Sequence, residues 1–255
     1  MRKEINSIKN KTVCEAKKLK QKKYREQTGM FLSEGYRNVL DSMKKAEPET
    51  VFVQKDCNLH IPDTKNSYIV SKEVFAQICD TNTPQGVAAV FSIPKERKIT
   101  VFRVLLLHGV SDPGNLGTIL RTALATGFTD VVLDERCADI YSPKVVRSAM
   151  SALFSLNLIR VKDLTDTVLD LKKMKYTVYA AALTDEAVSV YDTAFSKKTA
   201  LIFGSEAHGI SDELLAISDI VYIIPMNSEI ESLNVAVAAG VSMYECQRQN
   251  NFANK

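Results

Sequence analysis

Residues 101–107 form an almost unbroken apolar run, and after them short apolar runs alternate with helical patterns to the end of the chain. A strand that is apolar at successive positions must be covered on both faces. The spacing predicts further strands over 131–133, 158–161, 177–182, 200–203 and 220–224. Between and after them it predicts helices over 116–125, 143–153, 164–174, 212–217 and 232–248. Such alternation implies an α/β domain with a mostly parallel sheet and helices on both faces. Ligands of such sheets bind beyond the carboxyl ends of the strands.

The pattern breaks at 93–98, where Pro94 sits in a charge cluster, and this sets two domains, 1–95 and 99–250. The first reads as a small α/β module, with helices over about 7–20, 36–46 and 72–79 and strands over 51–53, 68–70 and 86–91. Its head is basic: before Glu26, Arg2, Lys3, Lys9, Lys11, Lys17, Lys18, Lys20, Lys22, Lys23 and Arg25 face only Glu4 and Glu15. A solvated helix face accounts for such a run, and so does contact with a polyanion. No apolar run approaches the roughly 20 residues that span a bilayer, and Met1-Arg2-Lys3-Glu4 begins no secretory signal. The five cysteines are scattered without a Cys-x-x-Cys pair and there are three histidines. A reducing cytoplasm, no disulfide framework and no metal centre are therefore expected.

Three polar loops follow strands in the second domain. In the first, Asp112-Pro113-Gly114 is turn chemistry, and Asn115 beside it is either an N-cap or a ligand-facing amide. Arg121 lies among apolar residues of the next helix and needs an anion or an exposed tip. In the second, Gly204 and Gly209 permit a tight loop, Ser211 is placed to cap a helix, and Glu206 is a partner for Arg121. His208 has no histidine or cysteine beside it to complete a nucleophilic set. In the third, the strand stops at Pro225, and Glu231, Ser232 and Asn234 crowd the head of the last helix. Free N–H groups and partial positive charge there hold and orient polar ligands. Neither a G-x-G-x-x-G nor a G-x-x-x-x-G-K-[ST] motif is present, which disfavours a nicotinamide-dependent or P-loop enzyme.

Taken in order, the three loops resemble the motifs of the SpoU/TrmH family of RNA ribose 2′-O-methyltransferases, in the SPOUT superfamily. Asn115, Gly117 and Arg121 match the first motif, and Gly204, Glu206 and Gly209 the second. Ile224 to Met226 with Glu231 to Val235 match the third, and residues 142–147 (Ser-Pro-Lys-Val-Val-Arg) are also similar to family members. Ser228, Ala207 and Ala236 depart from the family's usual glycine, glycine and serine. Residues 33–35 and 83–90 make the first domain similar to the ribosomal-protein-like substrate-binding domain often fused ahead of the catalytic one.

The resemblance implies a trefoil knot, a homodimer with sites near its interface, and S-adenosylmethionine held around Phe203, Gly204, Ile224, Met226 and Leu233. It implies methylation of a ribose 2′-hydroxyl, with Arg121 at the target nucleotide and Asn115, Glu206, Ser232 and Asn234 positioning the reactants. The separate basic module favours ribosomal RNA over transfer RNA. A non-catalytic RNA-binding relative is the rival, opposed by the intact polar set.

Overall fold

The structure is a computed structural model describing residues 2–62, 64–229 and 232–250. The chain forms two compact units: Met1–Lys95 with Asp139–Phe154, and Glu96–Ala138 with Ser155–Lys255.

The first unit runs β1 (Lys3–Ile5), α1 (Lys11–Lys18), α2 (Lys22–Thr28), β2 (Met30–Glu34), α3 (Tyr36–Met43), β3 (Thr50–Gln54), β4 (Ser67–Val70), α4 (Lys72–Ile78) and β5 (Val87–Ser92). Its sheet has the order β1-β4-β3-β5-β2, with β2 and β5 antiparallel. The basic helix expected over 7–20 is the shorter α1, and α2 follows it where no helix was expected. Asn10 caps α1 by accepting from the Thr12 N–H at 2.9 Å, and Gly29 ends α2 with φ 65°. The one buried residue of α2 is Arg25, so no apolar stripe marks it in the sequence.

Arg25 is 4% exposed; it pairs with Asp139 and donates to the Leu19 carbonyl at 2.6 Å. Lys17 and Lys20 donate to Gln77, and Lys18 lies over the Tyr24 ring at 5.3 Å. A large part of the basic run is therefore structural; Lys11 and Lys22 form exposed i,i+4 pairs with Glu15 and Glu26, and Lys3, Lys9 and Lys23 are exposed to solvent or a polyanion.

The second unit contributes β6 (Arg103–His108), α5 (Pro113–Thr126) and β7 (Asp130–Asp134). After α6 (Pro143–Ala149) come β8 (Asn157–Val161), α7 (Thr165–Lys173), β9 (Thr177–Ala181), β10 (Val188–Ser189), β11 (Thr199–Gly204), α8 (Asp212–Ile217), β12 (Ile220–Ile223) and α9 (Val235–Gln249). The seven strands form one sheet in the order β10-β12-β9-β11-β6-β7-β8, and every pairing in it is parallel. The central strands β6, β11 and β7 are buried along nearly their whole length, as their unbroken apolar character requires.

Helix α6 and the 3-10 turn Met150–Phe154 belong to the first unit, although the sequence pattern runs them with the second domain. Chemistry explains the placement: Phe154 and Tyr141 pack on Phe31 at 5.6 and 5.0 Å between ring centroids, and Arg147 pairs with Glu34 and Asp80. The helix expected over 143–153 stops at Ala149 because Met150 adopts φ 54° and ψ −142°, outside the helical region, so the α-helical ladder cannot continue through it. Among the described residues no helix is long and apolar enough to cross a membrane.

Candidate active site

The carboxyl ends of β9, β11 and β12 open into a cavity of about 480 Å³, within the usual range for small-ligand sites. Its walls come from the loop after β9 (Ala182, Leu183, Thr184), the loop after β11, and the approach to α9. Phe203, Gly204, Ile224, Met226 and Leu233 all line it, as do Glu206 and Ser232. The loop after β9 carried no recognisable motif, and only its position at a strand end pointed to it.

The loop after β11 is folded on itself. The Ser205 carbonyl accepts from the Gly209 N–H at 2.9 Å, and the Ser205 hydroxyl accepts from the His208 N–H at 3.1 Å. A Cβ on Gly204 would fall 2.1 Å from the Gly209 carbonyl carbon, so this position admits no side chain. Gly209 is a glycine for another reason, its φ of 64°. Ser211 stands at the cap position of α8, but its hydroxyl accepts no capping bond.

Asn115 is not the N-cap of α5. Asp112 takes that role, accepting from the Asn115 N–H at 2.8 Å, with Pro113 in the first helical position. The Asn115 side chain is thereby free to reach across the sheet edge. Its Nδ2 donates to Glu206, and its Oδ1 accepts from Asn234 Nδ2 at 3.0 Å. Asn234 caps α9, its own Oδ1 accepting from the Ala236 N–H at 2.9 Å, so the last helix starts at Val235 rather than at 232. One residue from each of the three polar loops thus forms a continuous chain, Asn234 to Asn115 to Glu206, at the lip of the cavity.

Glu206 therefore pairs with Asn115 and not with Arg121, as the charges had suggested. A neutral amide is the nearer donor, because Arg121 lies nearly two helical turns further along α5, about 9 Å by helix rise. Arg121 is exposed, has no partner among the described residues, and does not line the cavity. Glu231 lies outside the described residues.

Residues that the motifs did not flag form a second polar cluster on the same edge, where His108 and Arg136 converge on Asp134. Burial opposes ionisation of Asp134, but bonds from His108, the Gly109 N–H, Cys137 and Arg136 outweigh it and hold its carboxyl below the usual range. Burial, with Asp134 adding to it, pushes the Cys137 thiol up to about 12.

The sequence profile described as the SpoU rRNA Methylase family matches residues 103–244, and that of an MRM3-like substrate binding domain matches 10–89. The chain is 38% identical to the 23S rRNA (guanosine(2553)-2′-O)-methyltransferase RlmP of Bacillus subtilis, over 95% of this chain and 98% of the relative. A TrmH-family structure from Porphyromonas gingivalis superposes with a TM-score of 0.84 at 31% identity, covering 95% of this chain and all of that one. An AdoMet-bound rRNA methyltransferase from Sinorhizobium meliloti gives 0.81 at 26%, covering 96% and 97%. On the profile match and the nearly full-length likeness to the Bacillus subtilis protein, this chain belongs to the SpoU rRNA methylase family.

Proposed function

We propose that this protein transfers a methyl group from S-adenosylmethionine to a ribose 2′-hydroxyl of ribosomal RNA, acting in the cytoplasm as a homodimer. The observation that carries the reading is the Asn234–Asn115–Glu206 chain, which ties all three family motifs to one cavity. The cavity fits the cofactor: Phe203, Ile224, Met226 and Leu233 offer apolar surface, and Gly204 and its loop offer bare backbone. When bound, S-adenosylmethionine supplies a methyl on a sulfonium that leaves readily.

The protein's own task is alignment and removal of one proton, and alignment alone contributes several kcal/mol. Asn115 and Asn234 hold the ribose against the cavity lip, with Ser232 beside them. Glu206 fixes the Asn115 amide in one orientation. Arg121 stabilises the developing alkoxide, since a guanidinium stays protonated and is a poor base.

Arg121 stands outside the cavity of its own chain, and this supports a dimer in which the α5 and α9 faces meet. Val237 and Tyr244 of α9 are 51% and 55% exposed on one side of that helix, and α5 packs along α9 through Thr122 and Gly240. The family and the order of β9, β11 and β12 support a trefoil knot in this region. The first unit grips the RNA, a reading supported by its profile match and by Lys3, Lys9 and Lys23.

The test is incubation with S-adenosylmethionine labelled in its methyl group, using ribosomal and transfer RNA separately. Label in ribosomal RNA at a single ribose is the expected result. Label in transfer RNA alone would overturn the substrate, and cofactor binding without label in either RNA would favour a non-catalytic relative.

A further inference from the structure

We propose that Arg136 is a substrate-contacting residue that holds a backbone phosphate of the RNA beside the methylated nucleotide. The inference rests on the proposed activity and adds a residue that none of the three motifs contains.

Position is the first argument. His108 ends β6 and is in register with Gly204 of β11, while Asp134 ends the next strand, β7. At the usual strand spacing, β7 lies about 10 Å from β11. Gly109 sits between the two sites, since a Cβ built on it would lie 3.7 Å from Ser205 Cβ and 3.9 Å from Arg136 Cβ. Arg136 thus flanks the same glycine as Ser205, a wall residue of the cofactor cavity.

Construction is the second. Asp134 is 1% exposed, and its Oδ1 accepts from the N–H groups of Gly109, Arg136 and Cys137 at 3.0 to 3.2 Å. Its Oδ2 accepts from Arg136 Nε at 3.1 Å and Nη2 at 3.0 Å, and His108 Nδ1 lies 3.1 Å away. Arg136 Nη2 lies 2.8 Å from His108 Nδ1 and 2.7 Å from Nε2, against the imidazole ring. One edge of the guanidinium is therefore fixed by a buried carboxylate and a buried imidazole.

A counter-ion for Asp134 is the plainer reading of Arg136. That carboxylate, however, already accepts three backbone N–H bonds and one from His108, while the Arg136 side chain remains 58% exposed. Its Nη1 has no partner among the described residues. An oriented fork with one edge turned to solvent suits a phosphodiester. Lys162 follows Val161, which pairs with Asp134 across the sheet, and adds a positive charge at this edge. The carboxylate of Asp163 accepts from the Thr165 N–H at 2.7 Å but also faces His108 and Arg136, and opposes an anion there. Glu135 is exposed beside Arg136 and carries a further opposing charge.

The test uses the full-length protein and a ribosomal RNA fragment that the wild type methylates, with Arg136→Ala and Arg136→Lys. Arg136→Ala is expected to raise the KM for RNA roughly 10- to 100-fold, the loss of a charged hydrogen-bonded contact. It should reduce the slope of log affinity against log salt by about one phosphate contact, with S-adenosylmethionine affinity unchanged. Arg136→Lys keeps a charge against Asp134 but loses the fork, so it should fold like wild type, keep the salt slope and still raise the KM. It decides the matter if Arg136→Ala unfolds. A folded variant, Lys or Ala, with wild-type KM for RNA would overturn the assignment of Arg136 while leaving the methyltransferase reading intact. Failure of the wild type itself to methylate any RNA would instead remove the reading beneath it.

Discussion

The two glycines of the loop after β11 separate a steric requirement from a conformational one. In Gly204→Ala the new methyl would stand 2.1 Å from the Gly209 carbonyl carbon, 2.2 Å from its oxygen and 2.5 Å from the Ile210 nitrogen. Those are backbone atoms, so no side chain can swing aside. To reach ordinary contact at 3.4 Å the loop must withdraw by about 1.3 Å, and it carries Ser205, Glu206 and Gly209 of the cavity wall. Overpacking of this kind costs about 1–3 kcal/mol of stability, and a displacement near 1 Å costs about 100-fold in rate. Gly209→Ala meets no atom within 4 Å and pays only for its left-handed backbone, about 1–2 kcal/mol. Calorimetric titration with S-adenosylmethionine should find Gly204→Ala weakened at least about tenfold, with Gly209→Ala within a few-fold of wild type. Thermal unfolding should show both variants destabilised by similar amounts. Wild-type cofactor affinity in a folded Gly204→Ala protein would refute the steric argument.

Asn115→Ala removes the link between Glu206 and Asn234, and should lower kcat by about 10- to 100-fold while cofactor affinity, measured by titration, stays near wild type. Arg25→Ala strands Asp139 in the first unit. Breaking a buried pair costs about 3–5 kcal/mol, and because Asp139 keeps 19% exposure the lower end, about 3 kcal/mol, is expected in urea unfolding; a loss below about 1 kcal/mol would show that the pair is not essential. Asp134 has its folded pKa depressed below the ordinary 3.8, so its stabilising contribution is present above that value and is lost as pH falls through the folded one. The stability gap between wild type and Asp134→Asn should therefore be largest near neutrality and narrow below pH 3.8, as followed by denaturant midpoints across a pH series.

The second unit was legible in the sequence because its strands are buried on both faces and declare themselves as apolar runs, and the cavity-lining residues because motifs mark them. Other features were not, strands β1 and β2 among them. Helix α2 carries an arginine at its one buried position, and so lacks the apolar stripe that periodicity needs. Strand β10 is two residues long at the edge of the sheet, too short to alternate. The partner of Glu206 was misread because charge complementarity favoured Arg121, whereas the amide of Asn115 was released for the role once Asp112 took the cap. Local capping chemistry, which the sequence left open at Asn115 between an N-cap and a ligand-facing amide, decided the connectivity of the site. The Asp134 cluster escaped because its members come from the ends of two strands and become neighbours only when β6 and β7 pair.

The site gathers the amino ends of two long helices, α5 with Asn115 in its first turn and α9 capped by Asn234, joined side chain to side chain. Both ends bring the positive pole of a helix to the same small volume, with Asp112 and Asn234 each accepting one of the first-turn N–H groups. Left alone, such a convergence would attract any passing anion. Glu206 sits there instead, bonded to Asn115 and exposed, so a preformed anion entering the lip meets a carboxylate already in place. A neutral hydroxyl meets no such opposition, and it gains the field of both helices only as its proton leaves. That favours the charge that develops during the reaction over any charge brought in by the substrate, which is the condition for lowering a barrier rather than merely binding. An RNA phosphate is likewise opposed at Glu206, and the phosphate contact proposed for Arg136 lies away from it, at the end of β7.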